Sequence, residues 1–179
     1  MHDPKAFDVA MSTMIQSFRA RFLLGFLACA GLIGYALYVQ FVERLMPCNY
    51  CILQRIAFAA LGLVFLVGGL HGPRSPRARG VYVALALMAA LIGIGIAGRH
   101  VWVQLYPPPM SMCGAGLGFL AQMQGWPGAI RQVLTASGDC SNIDWKFLGL
   151  TMPMWSLLWF AALAIWAALA ARVRGGTRR

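Results

Sequence analysis

Four long stretches with almost no charge constrain the fold more than any other feature of the sequence. The first, residues 22–42, is a charge-free run of about 21 residues. As an α-helix it would be about 30 Å long, which matches the hydrocarbon core of a bilayer. Three further apolar stretches follow at approximately 50–70, 81–99 and 152–171. Lipid leaves backbone polar groups no partner outside the segment, so we expect all four to cross a membrane as helices.

The composition agrees with a chain that lies mostly in lipid. Of the 179 residues, 60% are hydrophobic and 11% are charged, whereas a soluble domain is roughly 45–50% apolar and about a quarter charged. The sequence therefore predicts an all-α membrane protein, a four-transmembrane-helix bundle that forms a single domain over residues 1–179. Its two cysteine-bearing loops would be residues 43–49 and 101–151.

The formal net charge of +10 could suggest nucleic acid, but the basic residues punctuate the apolar runs and form no continuous stripe. Ten of the fifteen basic residues fall on one side of a four-span chain: Lys5, Arg19, Arg21, Arg74, Arg77, Arg79, Arg172, Arg174, Arg178 and Arg179. The positive-inside rule makes this side cytoplasmic. We therefore expect both termini in the cytoplasm, the cysteine-bearing loops on the outer side of the membrane, and no nucleic-acid partner.

A Cys-x-x-Cys pair, Cys48 and Cys51, stands just before the apolar run 56–70 and so falls in the first turn of the second span. The N–H groups and positive dipole end of a helix stabilise a thiolate, which is the reactive form of cysteine. Arg55 follows Cys51 by one helical turn on the same face and adds positive charge. The pattern predicts a reactive dithiol at the membrane edge.

The residues alone leave the use of Cys113 and Cys140 open. Both lie on the expected outer side, where an oxidising compartment favours disulfides, so they could be structural staples of a non-enzymatic membrane protein or a redox pair. A zinc ribbon usually has two Cys-x-x-Cys knuckles and this chain has one. Haem attachment requires His where Ile52 stands. We predict no metal, and we interpret Cys29, inside the first span, as a small buried apolar side chain.

Several short motifs occur together in the chain: Pro-Cys-x-x-Cys-x-x-Gln-Arg at 47–55, His100 before Gln-Leu-Tyr-Pro-x-Pro at 104–109, Cys113, Ala-Ser-Gly-Asp-Cys at 136–140, and Trp145 before Phe-Leu-Gly-Leu-x-Met-Pro at 147–153. This combination resembles the bacterial disulfide bond formation protein B (DsbB) family. The resemblance implies an oxidoreductase of the bacterial inner membrane. It would reoxidise a periplasmic, thioredoxin-like dithiol oxidase of the DsbA type and pass the electrons to a membrane quinone, ubiquinone or menaquinone.

Carried over residue by residue, the resemblance implies two disulfides, Cys48–Cys51 and Cys113–Cys140, formed by four catalytic cysteines. Cys113 is the expected position of the mixed disulfide with the partner. The preceding segment, expected to be extended and to lie in the partner's groove, consists of Pro107, Pro108, Pro109, Met110, Ser111 and Met112.

The resemblance also implies a quinone site. Cys51 would deliver electrons to the quinone, Arg55 would stabilise the Cys51 thiolate and the quinone anion, and His100 would donate a hydrogen bond or proton to a quinone oxygen. Gln54 and Met152 are further expected neighbours of the quinone. A vitamin K epoxide reductase-like enzyme is the alternative within enzymes, and the motifs at 104–109 and 137–140 favour the first family.

Overall fold

The computed structural model describes residues 17–44, 47–106, 117–135 and 146–171. In chain order the described elements are α1 (Phe18–Phe41), α2 (Asn49–His71), α3 (Pro76–Leu105), α4 (Leu117–Thr135), β1 (Lys146–Phe147), β2 (Leu150–Thr151) and α5 (Met152–Ala171). Helices α1, α2, α3 and α5 are long and apolar enough to cross a membrane. The predicted all-α class with four spanning helices is confirmed.

The spanning helices extend beyond the apolar runs that suggested them. Helix α1 begins at Phe18, and α3 continues to Leu105, past Arg99 and His100. Polar residues are accommodated in this last part of α3 because neighbours satisfy them: Gln104, for example, accepts a hydrogen bond from the Thr151 hydroxyl at 2.8 Å. The segment 101–151, which we predicted as a loop, therefore begins with the end of α3 and contains α4 and the β1–β2 hairpin.

Side-chain caps determine where the helices begin. Ser17 caps α1 by accepting from the Ala20 N–H at 3.2 Å, and Ser75 caps α3 in the same way, accepting from the Ala78 N–H. Each cap satisfies one of the N–H groups that a helix start leaves without an intrahelical partner. Helix α2 ends at His71 and is capped by Gly72, whose φ of 54° is the left-handed conformation that glycine adopts without strain.

The four long helices form a closed ring in which α1 packs on α2, α2 on α3, α3 on α5, and α5 on α1. The core includes the fully buried side chains of Phe22, Phe65 and Phe160. Two of these rings occupy places where glycine allows close approach, since the Phe65 ring lies against Gly25 and the Phe22 ring against Gly68. Small residues at helix contacts are the usual way in which membrane helices approach closely.

Two arginines in the first turn of α1 form hydrogen bonds to α2 and α5 at one end of this ring. The Arg19 Nε donates to the carbonyl of Gly69 at 3.2 Å, and the Arg21 Nη1 donates to the carbonyl of Leu169 at 2.9 Å. The final carbonyls of α2 and α5 thereby gain charged donors. The Cys-x-x-Cys pair begins α2, so it lies at the opposite end of the bundle.

Gly93→Ala is expected to destabilise the bundle. A Cβ at Gly93 would overlap the Phe160 ring, which is itself stacked on Phe58 with ring centroids 3.8 Å apart. Moving buried rings to make room typically costs about 1–3 kcal/mol. The free energy of unfolding of the purified protein in micelles, followed by circular dichroism, measures the loss.

Gly95→Ala is the matched control, because a Cβ at Gly95 on the same helix meets nothing within 4 Å. We expect that variant to be as stable as the parent or slightly more stable, since alanine favours a helix over glycine. Equal losses in both variants would contradict the packing described here.

Candidate active site

The first turn of α2 presents both sulfurs of the Cys-x-x-Cys pair. Cys48 is the N-cap residue, and its Sγ accepts a hydrogen bond from the Cys51 N–H at 3.4 Å. The two Sγ atoms are 3.0 Å apart and unbonded. A disulfide bond is about 2.05 Å long, so removal of two electrons and two protons by an oxidant would need the sulfurs to approach by only about 1 Å to form it. The helix start therefore stabilises a thiolate at Cys48 directly, through a backbone N–H.

His100 of α3 lies on the Cys48 side of the pair. Its side chain is 2% exposed, and its Nε2 lies 3.7 Å from the Cys48 Sγ. On the other edge of the ring, the Gln54 amide N–H donates to Nδ1 at 3.1 Å. A neutral imidazole that accepts from Gln54 at Nδ1 carries its proton on Nε2, the nitrogen near the Cys48 Sγ, and a donor at this nitrogen favours the thiolate of Cys48.

Two further contacts hold this cluster in place. The fully buried ring of Tyr50 stacks on the His100 ring with centroids 5.3 Å apart and planes inclined by 22°. Tyr50 packs in turn against Val103, one turn further along α3. Because Gln54 is also buried, at 3% exposed, the imidazole has little room to change its orientation.

Arg55 is held by α1. Its Nη2 donates to the carbonyl of Ala36 at 2.9 Å, and its Nη1 donates to the side-chain oxygen of Gln40. These bonds join α1 and α2 at the end of the bundle that carries the dithiol, and they fix a positive charge beside Cys51 in the surface of the cavity described next.

A cavity of about 480 Å³ opens beside Cys51. Its walls come from α1, α2, α5 and the hairpin: Leu32, Ile33, Tyr35, Ala36, Cys51, Gln54, Arg55, Phe58, Phe147, Met152, Trp155, Ser156 and Trp159. The lining is largely aliphatic and aromatic, and the α2 wall carries the Cys51 thiol and the Arg55 guanidinium. Such a cavity suits a flat, apolar ring that carries a few polar atoms.

The two sulfurs face different surroundings. Among the described residues, Cys51 lines the cavity, whereas Cys48 and His100 do not. Cys48 instead contacts the imidazole. The pair thus separates a polar side, with His100, from an apolar side that could accept a second reactant, and Gln54 borders both sides.

The β1–β2 hairpin forms part of the cavity wall. Its turn residues, Leu148 and Gly149, have φ values of 51° and 80°, as a two-residue turn of the type I′ class requires. The Trp155 indole N–H donates to the carbonyl of Phe147 at 3.1 Å. This bond, together with the Thr151–Gln104 contact, ties the hairpin to both α5 and α3.

The structure brings together most of the predicted site residues that it describes. Cys48, Cys51, Gln54 and His100 form one cluster, and Cys51, Gln54, Arg55 and Met152 line the cavity. Cys113, Cys140 and residues 107–112 lie outside the described residues. Their pairing and their contact with a partner stay predictions, as do the Cys48–Cys51 disulfide and a hydrogen bond from His100 to a quinone.

Sequence reasoning missed several residues of the site. Tyr50 stands between the cysteines and drew no separate attention, and Gln40 was hidden inside the first apolar run. Trp155 and Trp159, which lie in the fourth predicted span, were not assigned to the site. Their spacing of one helical turn places both on one face of α5, and that spacing was the available signal for a shared aromatic wall.

Comparison with known proteins agrees with the motifs. Residues 18–170 match the family described as disulfide bond formation protein DsbB. A relative named disulfide bond formation protein B from Xanthomonas oryzae pv. oryzae (strain MAFF 311018) is 60% identical over 152 residues, covering 84% of this chain and 88% of the relative. Proteins of the same name from Xanthomonas campestris pv. campestris (strain 8004) and Xylella fastidiosa (strain 9a5c) are 58% and 52% identical, covering 90% and 87% of this chain and 95% and 90% of the relatives.

Proposed function

The chain belongs to the disulfide bond formation protein DsbB family, and from that premise we propose that it reoxidises a periplasmic, thioredoxin-like dithiol oxidase with a membrane quinone as the electron acceptor. The observation that carries the proposal is the position of Cys51, which belongs to a dithiol at a helix start and also lines an apolar cavity. A single sulfur can thus take part in thiol–disulfide exchange and contact a lipid-soluble oxidant.

Two successive thiol–disulfide exchanges oxidise the partner and reduce the Cys48–Cys51 pair. A thiolate of the reduced partner attacks the Cys113–Cys140 disulfide and forms a mixed disulfide at Cys113, and the partner's second thiolate then resolves it. Cys113 and Cys140 are left as a dithiol, which the Cys48–Cys51 disulfide reoxidises by the same chemistry. Two electrons and two protons reach the Cys48–Cys51 pair in each cycle, and His100 helps by stabilising the Cys48 thiolate that each exchange releases.

The residues that line the cavity fit a quinone. Phe58, Trp155 and Trp159 offer faces for an apolar ring, and Arg55 offers a fixed positive charge toward ring oxygens. A bound quinone would supply the capacity to take up two electrons and two protons from the dithiol. Arg55 favours the anionic form of the nearby sulfur, and the apolar lining excludes water from the reacting atoms.

Energetics favour such an acceptor over a soluble thiol. A dithiol oxidase of the DsbA type is poised near about −120 mV, whereas glutathione-like couples lie near about −200 mV. Regenerating the disulfide of the DsbA-type oxidase with a glutathione-like disulfide would be uphill by about 4 kcal/mol for two electrons. A stronger oxidant is needed, and a lipid-soluble oxidant can reach a cavity at the edge of a membrane protein.

Charge supports the orientation that we propose. Arg19 and Arg21 lie at the end of the bundle opposite to the dithiol, and basic residues flanking spans mark the cytoplasmic side. The dithiol end would then face the periplasm across the bacterial inner membrane. That compartment holds a thioredoxin-like oxidase in bacteria, kept oxidised through quinone.

The test is quinone reduction by the purified protein in the presence of a reduced DsbA-type oxidase. We expect absorbance changes of ubiquinone and menaquinone analogues, run side by side, that require both the protein and the reduced partner. Cys29→Ala is the control, because Cys29 lies buried in α1, away from the dithiol, and it should leave the rate unchanged. Partner oxidation that proceeds at full rate without any quinone would overturn the proposed acceptor.

A further inference from the structure

Three soft ligand atoms converge at the start of α2. The Cys48 Sγ, the Cys51 Sγ and a ring nitrogen of His100 all lie within 4.8 Å of one another. They come from two helices, α2 and α3, and His100 is fixed by Tyr50 and Gln54. We propose that the reduced dithiol and His100 form a binding site for a thiophilic divalent cation, Zn²⁺ or Cd²⁺, and that the bound ion holds the enzyme in its reduced form.

The spacing of these atoms is close to that of a tetrahedral site. With zinc–sulfur bonds of about 2.3 Å and zinc–nitrogen bonds of about 2.05 Å, a tetrahedron places sulfur and nitrogen about 3.6 Å apart and the two sulfurs about 3.8 Å apart. The Cys48 Sγ to His100 Nε2 distance is 3.7 Å, and the sulfurs are 3.0 Å apart. The sulfurs must separate by about 0.8 Å, and the Cys51 Sγ, now within 4.8 Å of the imidazole nitrogen, must come to about 3.6 Å from it. Rotations of two half-buried side chains provide both changes.

Charge balance favours a divalent ion here. Two thiolates and a neutral imidazole neutralise an M²⁺ ion completely, so the complex adds no net charge to a partly buried position. Thiolate and imidazole ligands also select soft and borderline metals such as zinc and cadmium over magnesium or calcium. The two thiol protons are released on binding, and no electron is transferred.

Gln54 allows the change of tautomer that such a site needs. A metal on Nε2 requires the proton on Nδ1, and a side-chain amide can meet either state. Its nitrogen donates to Nδ1 in the present arrangement, and after rotation its oxygen would accept from the Nδ1–H. An outer-shell acceptor on the second ring nitrogen is the usual support of a metal-bound histidine.

The consequence is competition with the redox cycle. An ion bound to both sulfurs removes the two thiolates that exchange and oxidation require. The site exists only after reduction, because a Cys48–Cys51 disulfide leaves no thiolate to bind. A cation of this kind would therefore act as an inhibitor that traps the enzyme after it has accepted electrons.

Cadmium titration of the reduced full-length protein tests the site without quinone or partner, so its outcome is independent of the proposed function. The sample carries Cys29→Ala, Cys113→Ala and Cys140→Ala, which leaves one dithiol. We expect one ion per protein, seen as a thiolate-to-cadmium charge-transfer band in the ultraviolet, and no band with the oxidised protein. X-ray absorption should show two sulfurs and at least one imidazole nitrogen around the ion.

Variants then distinguish a cation site that includes His100 from cadmium binding by the two cysteines alone. Gln54→Leu should weaken cadmium binding by about 10–100-fold, as loss of an outer-shell partner usually does. His100→Ala should weaken it further, and Gln54→Glu should retain tight binding. Two results would overturn the proposal. One is X-ray absorption that shows no nitrogen ligand on the cadmium ion when Cys48, Cys51 and His100 are all present. The other is an unchanged affinity for cadmium in a folded His100→Ala variant.

Discussion

Cys51→Ser is expected to abolish quinone reduction. Serine occupies nearly the same volume, but its oxygen forms no disulfide, so the pair can neither pass electrons to the cavity nor be reoxidised. Cys48 remains the N-cap of α2 in this variant, and the helix should start where it does now. The rate with a reduced DsbA-type partner should fall to the background of the assay.

Cys29→Ser tests whether the loss is specific. It makes the same chemical change at a sulfur that packs in the bundle core against Gly62, and it should retain quinone reduction wherever the folded protein is recovered. Quinone reduction that survives Cys51→Ser would exclude the assigned electron path.

Arg55→Met is expected to raise the KM for quinone by about 10–100-fold while leaving the KM for the protein partner within a few-fold. Methionine keeps the apolar stem, but it removes the charge that lines the cavity and both hydrogen bonds to α1. One hydrogen bond from the charged guanidinium to a quinone oxygen would contribute about 1.5–3 kcal/mol, and its loss corresponds to the expected change in the KM for quinone. Steady-state kinetics with each substrate varied in turn measure the two constants.

Arg55→Lys distinguishes charge from geometry. Lysine retains the charge but cannot reproduce two donors in a planar fork, so it should recover part of the affinity for quinone. If the KM for the partner rose and the KM for quinone did not, Arg55 would belong to the docking surface and not to the cavity.

The spanning helices and the dithiol were predictable because their determinants are local. Long apolar runs indicate helices in lipid, and two cysteines three residues apart before such a run fall in one helical turn. The boundaries were less accurate. Helix α3 continues past Arg99 because His100 and Gln104 find partners on other elements, and such partners cannot be identified from the run itself.

The cavity could not be predicted in the same way. Its walls come from α1, α2, α5 and the hairpin, and their alignment depends on how the four helices close. The position of His100 shows the same limit. The motif indicated a role at the quinone, but helix packing decided that its ring would lie beside Cys48, 52 residues away in sequence. The bond from the Trp155 indole to the carbonyl of Phe147 likewise has no signal in the sequence.

The contacts of Arg21 have a consequence for biogenesis. Its side chain donates to the carbonyl of Leu169, and its own carbonyl accepts from the Trp166 indole at 2.8 Å, across 148 and 145 residues of sequence. Helix α1 thus gains its contacts with α5 only after α5 has been synthesised. Until then α1 and α2 form a hairpin whose outer faces meet lipid, and ring closure must be a late event of assembly.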